Sequence, residues 1–411
     1  MKQSELFVKT LRNAPKDEET INAQLLVRAG FVNKLMAGVY SYLPLGLLTL
    51  RKISELVRCE MDSIGGQEIL MPGLHPAENW KTTGGWDKVD VLFKIKSRTE
   101  KDYALGQSEE EVVTPLVMGY IETYKDLPQA VYQIGWKFRD ELRSKSGLLR
   151  GREFLMKDMY SFHESQADFD RFYEIVKKAY LRIFEKIGLV AKVTEASGGA
   201  FSEKISYEFM VLTDAGEDDI LYCDACEFCV NTEIAKVVAG DACPKCGKGK
   251  LSQAKASEVG NVFDLGQKYG KDFDLGFRDQ ENQVKYPIMG CYGLGISRLM
   301  GVIVEKFHDD RGIIWPQAVS PFDLHLLNIA QDEKVTEKLY QTLQSAGFSV
   351  LLDQRDVRPG EKFADSDLIG IPWRILVSDK TLETDSVEIK PRNSDQTSIV
   401  KIKDLPESLK N

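Results

Sequence analysis

The chain has 411 residues, 43% of them hydrophobic and 28% charged, with a formal net charge of −9. This length calls for two or three domains, and the acidic balance excludes indiscriminate nucleic-acid binding, which needs a basic surface. The polar start "MKQSELFVKTLRNAPKDEET" is not a signal peptide and no apolar run approaches the ~20 residues that cross a membrane, so a cytoplasmic protein without membrane contact is expected.

In chain order, residues 4–38 read as helical. An amphipathic helix follows from Pro44 to Ile64, with Leu47, Leu50, Ile53, Val57 and Met61 three or four apart. Pro44 suits its first turn, and Gly65-Gly66 stops it. "QEILMPG", "VLFKIKS", "DYALGQS", "VYQIGWKFRDEL" and "REFLMKDMYSFH" read as strands, and helices are expected at 166–187 and 293–307. After Pro316 the pattern changes. "PFDLHLLNI", "FSVLLDQ", "WRILVSD", "SVEIKPR" and "TSIVKIKD" read as strands, while "DEKVTEKLYQTLQSAG" and "EKFADSDLIG" read as helices. That alternation predicts a small α/β domain, mostly parallel at its centre, beginning near Val319.

Residues 137–163 carry seven basic and four acidic side chains around an apolar skeleton. Strand alternation puts Arg139 and Glu141 on one face of the first arm. On the second arm it groups Arg152, Phe154, Met156, Asp158, Tyr160 and Phe162, and the loop between the arms ends at Arg150. A hairpin of this kind presents guanidiniums, carboxylates and an aromatic plane together. Guanidinium forks fit phosphate oxygens, a ring stacks on a base, and acids hold a metal or an amine. Downstream, "GCYGLGISRLMG" sets Gly293 and Gly295 before Arg298, so the backbone can approach a ligand toward which the arginine points back.

Between these stretches, Cys223, Cys226, Cys229, Cys243 and Cys246 crowd one segment. C-x2-C, sixteen residues, then C-x2-C is zinc-ribbon spacing, with Cys223, Cys226, Cys243 and Cys246 as the natural ligands and Cys229 competing with Cys226. A zinc ion there would be structural, since four thiolates leave no open position. Residues 319–411 hold 12 basic and 16 acidic side chains, so composition alone does not make this domain an RNA binder.

"FRDE…RGREFLMKD" resembles motif 2 of the class II aminoacyl-tRNA synthetases, "GLGISR" their motif 3, and "GGQEILMPG" their weak motif 1. Within that class "FLMKDMYSFH", "YEFMVLTDAGEDD", "EVGNVFDLGQKYG", "GIIWPQAVSPFDLHL" and "RDVRPGEKFADSDLIGIP" are similar to the bacterial-type prolyl-tRNA synthetase family. The resemblance implies an α+β catalytic domain, an antiparallel six- or seven-stranded sheet flanked by helices, followed by an α/β anticodon-binding domain. The expected division is 1–221 and 253–318 for the catalytic domain, 222–252 for the cysteine insertion and 319–411 for the anticodon domain. It implies a ligase that joins proline to proline tRNA using ATP and Mg2+, acting as a homodimer.

By the same resemblance Arg139 grips the α-phosphate and the substrate carboxylate, and Phe154 and Arg298 sandwich the adenine. Arg150 and Arg298 reach the outer phosphates, Glu141 faces the adenine amino group, and Gly293 and Gly295 border the nucleotide. The family's L-G-P-T-H-E-E loop is written "LGQSEEE" here, so Ser108 replaces a threonine, Glu109 a histidine, and Glu110 keeps the acid for proline's amine. His163 and Cys291 are expected at the wall of that pocket. "DQRDVRPGEK" offers Arg355, Arg358 and Lys362 for the anticodon, with Asp353 or Asp356 to read a guanine edge. Only about 35 residues separate "DAGEDDILY" from "EVGNVF", too few for the editing domain many bacterial relatives carry there, so a free-standing deacylase as partner, or an organism that tolerates the error, is expected. Ser108 leaves a threonyl or glycyl enzyme as the alternative, and an RNA-binding paralogue without catalysis as the rival of another class.

Overall fold

The protein is described by a computed structural model covering residues 1–199, 202 and 204–409. It divides into two compact units, Met36–Val39 with Ser54–Val302, and Met1–Leu35 with Tyr40–Ile53 and Ile303–Asn411.

The unit containing residues 54–302 is organised by a sheet of nine strands. Their order is Ile205–Leu212, Ala191–Ser197, Cys229–Asn231, Asp218–Cys223, Leu251–Gly266, Ile288–Gly295, Glu153–His163, Gln129–Phe138 and Gln67–Glu68. Pairing is antiparallel except where Gln67–Glu68 meets Gln129–Phe138 and where Cys229–Asn231 meets Ala191–Ser197. The expected antiparallel sheet is therefore present, with nine strands rather than six or seven. The helix Gln166–Ile187 covers its centre. Ser165 caps that helix by accepting from the Asp168 N–H, Gly188 ends it at φ 84°, and Phe169, Tyr173, Val176, Tyr180, Ile183 and Phe184 are buried on one face. These apolar residues recur at helical spacing and anchor the sheet's back, leaving its other face for chemistry.

Gln129–Phe138 and Glu153–His163 form the hairpin read from the sequence, with Gln133 opposite Asp158 and Lys137 opposite Phe154. The expected helix at 293–307 begins only at Ile296, because 293–295 still belong to the strand Ile288–Gly295.

In the other unit a five-stranded sheet runs in the order Val350–Asp353, Leu324–Asn328, Trp373–Val377, Ser386–Pro391, Ser398–Lys401. Its first three strands are parallel and the last two antiparallel. Leu324, Leu326, Leu339, Leu343, Ile375 and Val377 build its core. The single long helix expected over 4–38 is not formed. In its place stand a 3-10 turn at Gln3–Glu5, a helix at Ile21–Arg28 and a strand at Val32–Met36. The reason is local: "RNAPKDEE" has no apolar repeat to bury, and Gly30 takes φ +74° with Val8 packed against it. The first residues instead join the sheet edge, Lys2 bridging Leu352 and Gln3 Oε1 meeting His325 Nε2 at 2.9 Å. Among the described residues no helix is long and apolar enough to cross a membrane.

Candidate active site

The hairpin and the 288–295 strand open onto a cleft of about 270 Å³ lined by Ser108, Arg139, Phe154, Asp158, Cys291, Gly293, Gly295 and Arg298. Arg139 leaves the end of its strand with its guanidinium carbon over the Phe154 ring, 5.2 Å from the centroid and within cation–π distance. Its Nε is buried without a hydrogen-bond partner. Burial, then the neighbouring Arg298, lowers its pKa. Two guanidiniums held together in a desolvated cleft create a demand for an anion. Arg298 is held differently. Its Nε donates to Leu149 O at 2.7 Å and its Nη1 to Glu258 O at 2.7 Å. Gly295 gives it room, since a Cβ there would lie 3.2 Å from the Arg298 Cβ.

Arg150 and Glu141 sit at the rim as a pair. Arg150 Nε and Nη2 donate to Glu141 Oε2 at 2.9 and 2.7 Å, and Nη1 donates to Glu217 Oε2 at 2.6 Å. Glu141 and Arg139 also line an adjoining cleft of about 790 Å³, with Trp80, Glu111 and Lys268.

The loop before the helix Glu110–Met118 brings Ser108 and Glu110 to the hairpin. Glu110 is fully buried and neither of its carboxylate oxygens has a hydrogen-bond partner. Such a group is costly unless a cation arrives to meet it. The Cys291 thiol stands beside it, its pKa pushed well up by burial and then by Glu110. Next to Glu110, Glu111 is pushed up to about 8 by burial and then by Glu110's charge. His163 is not brought into this cleft. Its Nδ1 lies 2.6 Å from Asp168 Oδ2 and its Nε2 2.9 Å from Ser161 Oγ, so both ring nitrogens are engaged in the sheet's own support.

Several polar residues at this site were not singled out from the sequence. Lys137, fully buried, lies 2.8 Å from Glu109 Oε1 and 3.0 Å from Asp158 Oδ1. His75 Nε2 contacts Glu109 Oε2 at 2.7 Å. Glu109, standing where the family has histidine, is thus clasped from two sides. Glu208 and Glu258 also line the cleft. Burial, then Glu258, pushes Glu208 up to about 8 and the nearby Asp218 up to about 6. Acids that resist ionisation beside one another suit a divalent cation. The Asp158 position was legible as part of the Phe154 face. Glu208, Asp218 and Glu258 carry no local signal, because sheet order alone assembles them.

The cysteine segment resolves its own ambiguity. The Sγ atoms of Cys223, Cys226, Cys243 and Cys246 all lie within 4.8 Å of one another. Cys223–Cys246 and Cys226–Cys243 are 3.8 and 3.6 Å apart, against about 3.8 Å for the edge of a tetrahedron with Zn–S near 2.3 Å. Backbone N–H groups of Ala225, Phe228 and Gly249 point at the sulfurs of Cys223, Cys226 and Cys246, as thiolates require. A Cβ at Gly249 would sit 2.4 Å from Cys223 Sγ, so only glycine fits there. Cys229 is outside the cluster, buried with Met210, Ile220 and Ala256 and 3.1 Å from Thr194 Oγ1.

In the C-terminal sheet Asp353 is fully buried and grips Arg355 at 2.8 and 2.7 Å, and Arg355 also reaches Asp365 at 2.8 Å. Lys362 is buried and donates to Asn328 O at 2.6 Å. Asp353, Arg355 and Lys362 are therefore engaged internally, whereas Asp356 and Arg358 are exposed. A buried Asp353 is in no position to read a base edge.

Residues 93–307 match the family described as the class II tRNA synthetase core domain (G, H, P, S and T), and residues 323–411 match the anticodon binding domain family. The proline–tRNA ligase of Pseudothermotoga lettingae is 36% identical, with 97% of this chain and 95% of that protein covered. That of Geobacillus kaustophilus is 34% identical, covering 98% of each. The 550 and 559 aligned positions exceed the 411 residues here, so these relatives carry sequence that this chain lacks. The crystal structure of a Cryptosporidium parvum prolyl-tRNA synthetase, complexed with L-proline and AMP, shares the fold with a TM-score of 0.77 at 18% identity, covering 95% of this chain and 74% of that one.

Proposed function

The chain belongs to the prolyl-tRNA synthetases, class II enzymes that activate proline with ATP and transfer it to tRNA, and from that premise we propose how its own residues carry the reaction. Membership sets aside the threonyl and glycyl alternatives, and it is joined by an intact Arg139, Phe154 and Arg298 against a non-catalytic role. The observation that carries the assignment of roles is a pair of buried polar groups without hydrogen-bond partners: the Glu110 carboxylate, set against Cys291 of the cleft wall, and the Nε of Arg139, which itself lines the cleft. One awaits a cation and the other an anion. Proline's ammonium and the ATP α-phosphate are such a pair.

Proline's amine is received by Glu110 and Ser108, with Cys291 on the pocket wall. Its carboxylate then lies toward Arg139 and attacks the α-phosphorus, and pyrophosphate departs. Phe154 and Arg298 hold the adenine between a ring and a guanidinium, with Gly293 and Gly295 letting the nucleotide approach. Arg150 exchanges its carboxylate partners for the outer phosphates when ATP enters, which leaves Glu141 free to accept from the adenine amino group. Mg2+ would be held by Glu208 and Glu258, and it supplies charge neutralisation for the triphosphate. Catalysis is positioning and charge stabilisation rather than proton transfer. The terminal ribose hydroxyl of tRNA enters by the adjoining cleft and attacks the prolyl carbonyl of the adenylate; the acyl–phosphate bond breaks, AMP departs and its phosphate carries off the hydroxyl proton. Glu110→Gln keeps the shape and removes the charge. It is expected to raise the KM for proline in ATP–pyrophosphate exchange by about tenfold or more, since a charge-assisted hydrogen bond is lost. An unchanged proline KM would remove Glu110 from the amine site.

The division into catalytic domain (1–221 and 253–318), insertion (222–252) and anticodon domain (319–411) accompanies this reading, as do a cytoplasmic place of action and a homodimer. Leu70, Leu74, Tyr120 and Leu142 are exposed apolar side chains suited to a subunit contact. Arg358 and Asp356 are the side chains of the "RDVRPGEK" stretch open to an anticodon.

A structural zinc ion on Cys223, Cys226, Cys243 and Cys246 completes the insertion. Purified protein should contain one zinc per chain, and Cys243→Ser should lose it and lower the melting temperature by ~5 °C or more. Metal-free protein with four titratable thiols and an unaltered melting temperature would contradict the assignment.

A further inference from the structure

We propose that Tyr160 and Asp158 fix the direction of the Ser108 hydroxyl, so that Ser108 can only accept a hydrogen bond from the substrate. The proposal rests on the reading that Ser108 and Glu110 receive proline's amine. Tyr160 is fully buried, and its phenol oxygen is shared by three groups: Asp158 Oδ2 at 3.2 Å, Ser108 Oγ at 3.3 Å and the backbone N of Glu109 at 2.9 Å. A phenol has one proton to give. A carboxylate only accepts and a peptide N–H only donates. The Tyr160 proton therefore goes to Asp158, and its oxygen takes the Glu109 N–H and the Ser108 O–H. With its proton committed to Tyr160, Ser108 turns lone pairs toward the cleft that it and Asp158 both line.

Each partner is held in the state this requires. Asp158 faces Lys137 Nζ at 3.0 Å and Gln133 Nε2 at 3.3 Å, and Lys157, Glu109 and Cys291 are its other charged or titratable neighbours. Burial pushes its pKa up only to about 6, with Lys137 pulling the other way, so it is ionised at neutral pH. The Glu109 N–H is fixed because its side chain is clasped by Lys137 and His75. Trp80 Nε1–H donates to His75 Nδ1 at 3.3 Å, leaving the hydrogen of that imidazole on Nε2, toward Pro72 O and Glu109. Proline's ammonium offers two N–H donors and no acceptor. A hydroxyl locked as an acceptor recognises it and rejects a ligand that can itself only accept. Tyr160 and Asp158 are positioning residues for this discrimination.

The test uses the full-length enzyme with L-proline and with tetrahydrofuran-2-carboxylate, in which a ring oxygen replaces the ring nitrogen. The ratio of the analogue's Ki to proline's KM is measured by pyrophosphate exchange. Tyr160→Phe frees the Ser108 hydroxyl to donate, so this ratio should fall by about tenfold, with the KM for ATP unmoved. Asp158→Asn, whose amide can donate to Tyr160, should lower the ratio too and decides the matter if Tyr160→Phe does not fold. Combined with Ser108→Ala, neither substitution should change the ratio further. A ratio unchanged in the single variants, with both ligands weakened alike, would overturn the relay and leave Tyr160 a packing residue. A proline KM unchanged in Ser108→Ala would instead overturn the amine reading itself, and the relay with it.

Discussion

Replacing Arg139 with alanine should slow proline-dependent ATP–pyrophosphate exchange by ~10²-fold or more, with the circular dichroism spectrum unchanged. Arg139 stands over Phe154 with its Nε buried and unpartnered, and burial, then the second guanidinium beside it, lowers its pKa. The free enzyme leaves that Nε without a hydrogen-bond partner, so removing the side chain breaks no bond at that atom while depriving the reaction of a charge held in the cleft. Arg298→Ala should cost a similar factor for a different reason. Its guanidinium is already anchored to Leu149 O and Glu258 O, so it enters the reaction preorganised and needs no reorientation. Lysine at position 139 should rescue little, because a point charge does not reproduce a planar fork. A variant at either position that activates proline at near wild-type rate would take that residue out of the mechanism.

The second large effect concerns alanine. The enzyme should activate alanine at a measurable rate and clear preformed alanyl-tRNA no faster than water does. A pocket that admits proline's ring cannot exclude a smaller side chain by size. Alanine forgoes roughly two buried methylenes at about 0.8 kcal/mol each, or ~1.6 kcal/mol, which is about fifteenfold. Tighter packing extends that to about 10², short of the ~10⁴ that accurate translation needs. A hydrolytic site would have to lie in the insertion between motifs 2 and 3, and there the cysteine cluster fills a segment of about thirty residues. The expected consequence is that a free-standing deacylase removes the error in the cell or that the organism tolerates it. Hydrolysis of alanyl-tRNA carrying the proline anticodon well above background, abolished by deleting the cysteine segment, would show instead that this segment edits.

The sequence exposed the chemistry of the hairpin because period-two alternation sorts side chains by face. Phe154, Met156 and Asp158 do line the cleft. It did not expose the relay, since nothing in "KDMYSFH" says that Tyr160 meets the Glu109 amide from a loop some fifty residues earlier. The acidic wall was hidden for the same reason: Glu208 and Glu258 become neighbours only because the 205–212 strand pairs with 251–266. Cysteine spacing named five ligand candidates for four places. Cys229 was settled by packing, as it begins a strand and turns its thiol into an apolar cluster. The stretch "DQRDVRPGEK" advertised basic residues, yet an arginine fork folds back on a neighbouring aspartate that the sheet buries, as Arg355 does on Asp353. The long N-terminal helix failed where a polar segment had no apolar face to bury.

ATP–pyrophosphate exchange with each of the twenty amino acids in turn, followed by charging of proline tRNA, tests the central claim most directly. Exchange should be driven by proline above all others, with a weak response to alanine and stable prolyl-tRNA as product. Exchange driven by threonine or glycine in preference to proline, or no exchange with any amino acid by folded enzyme, would contradict it.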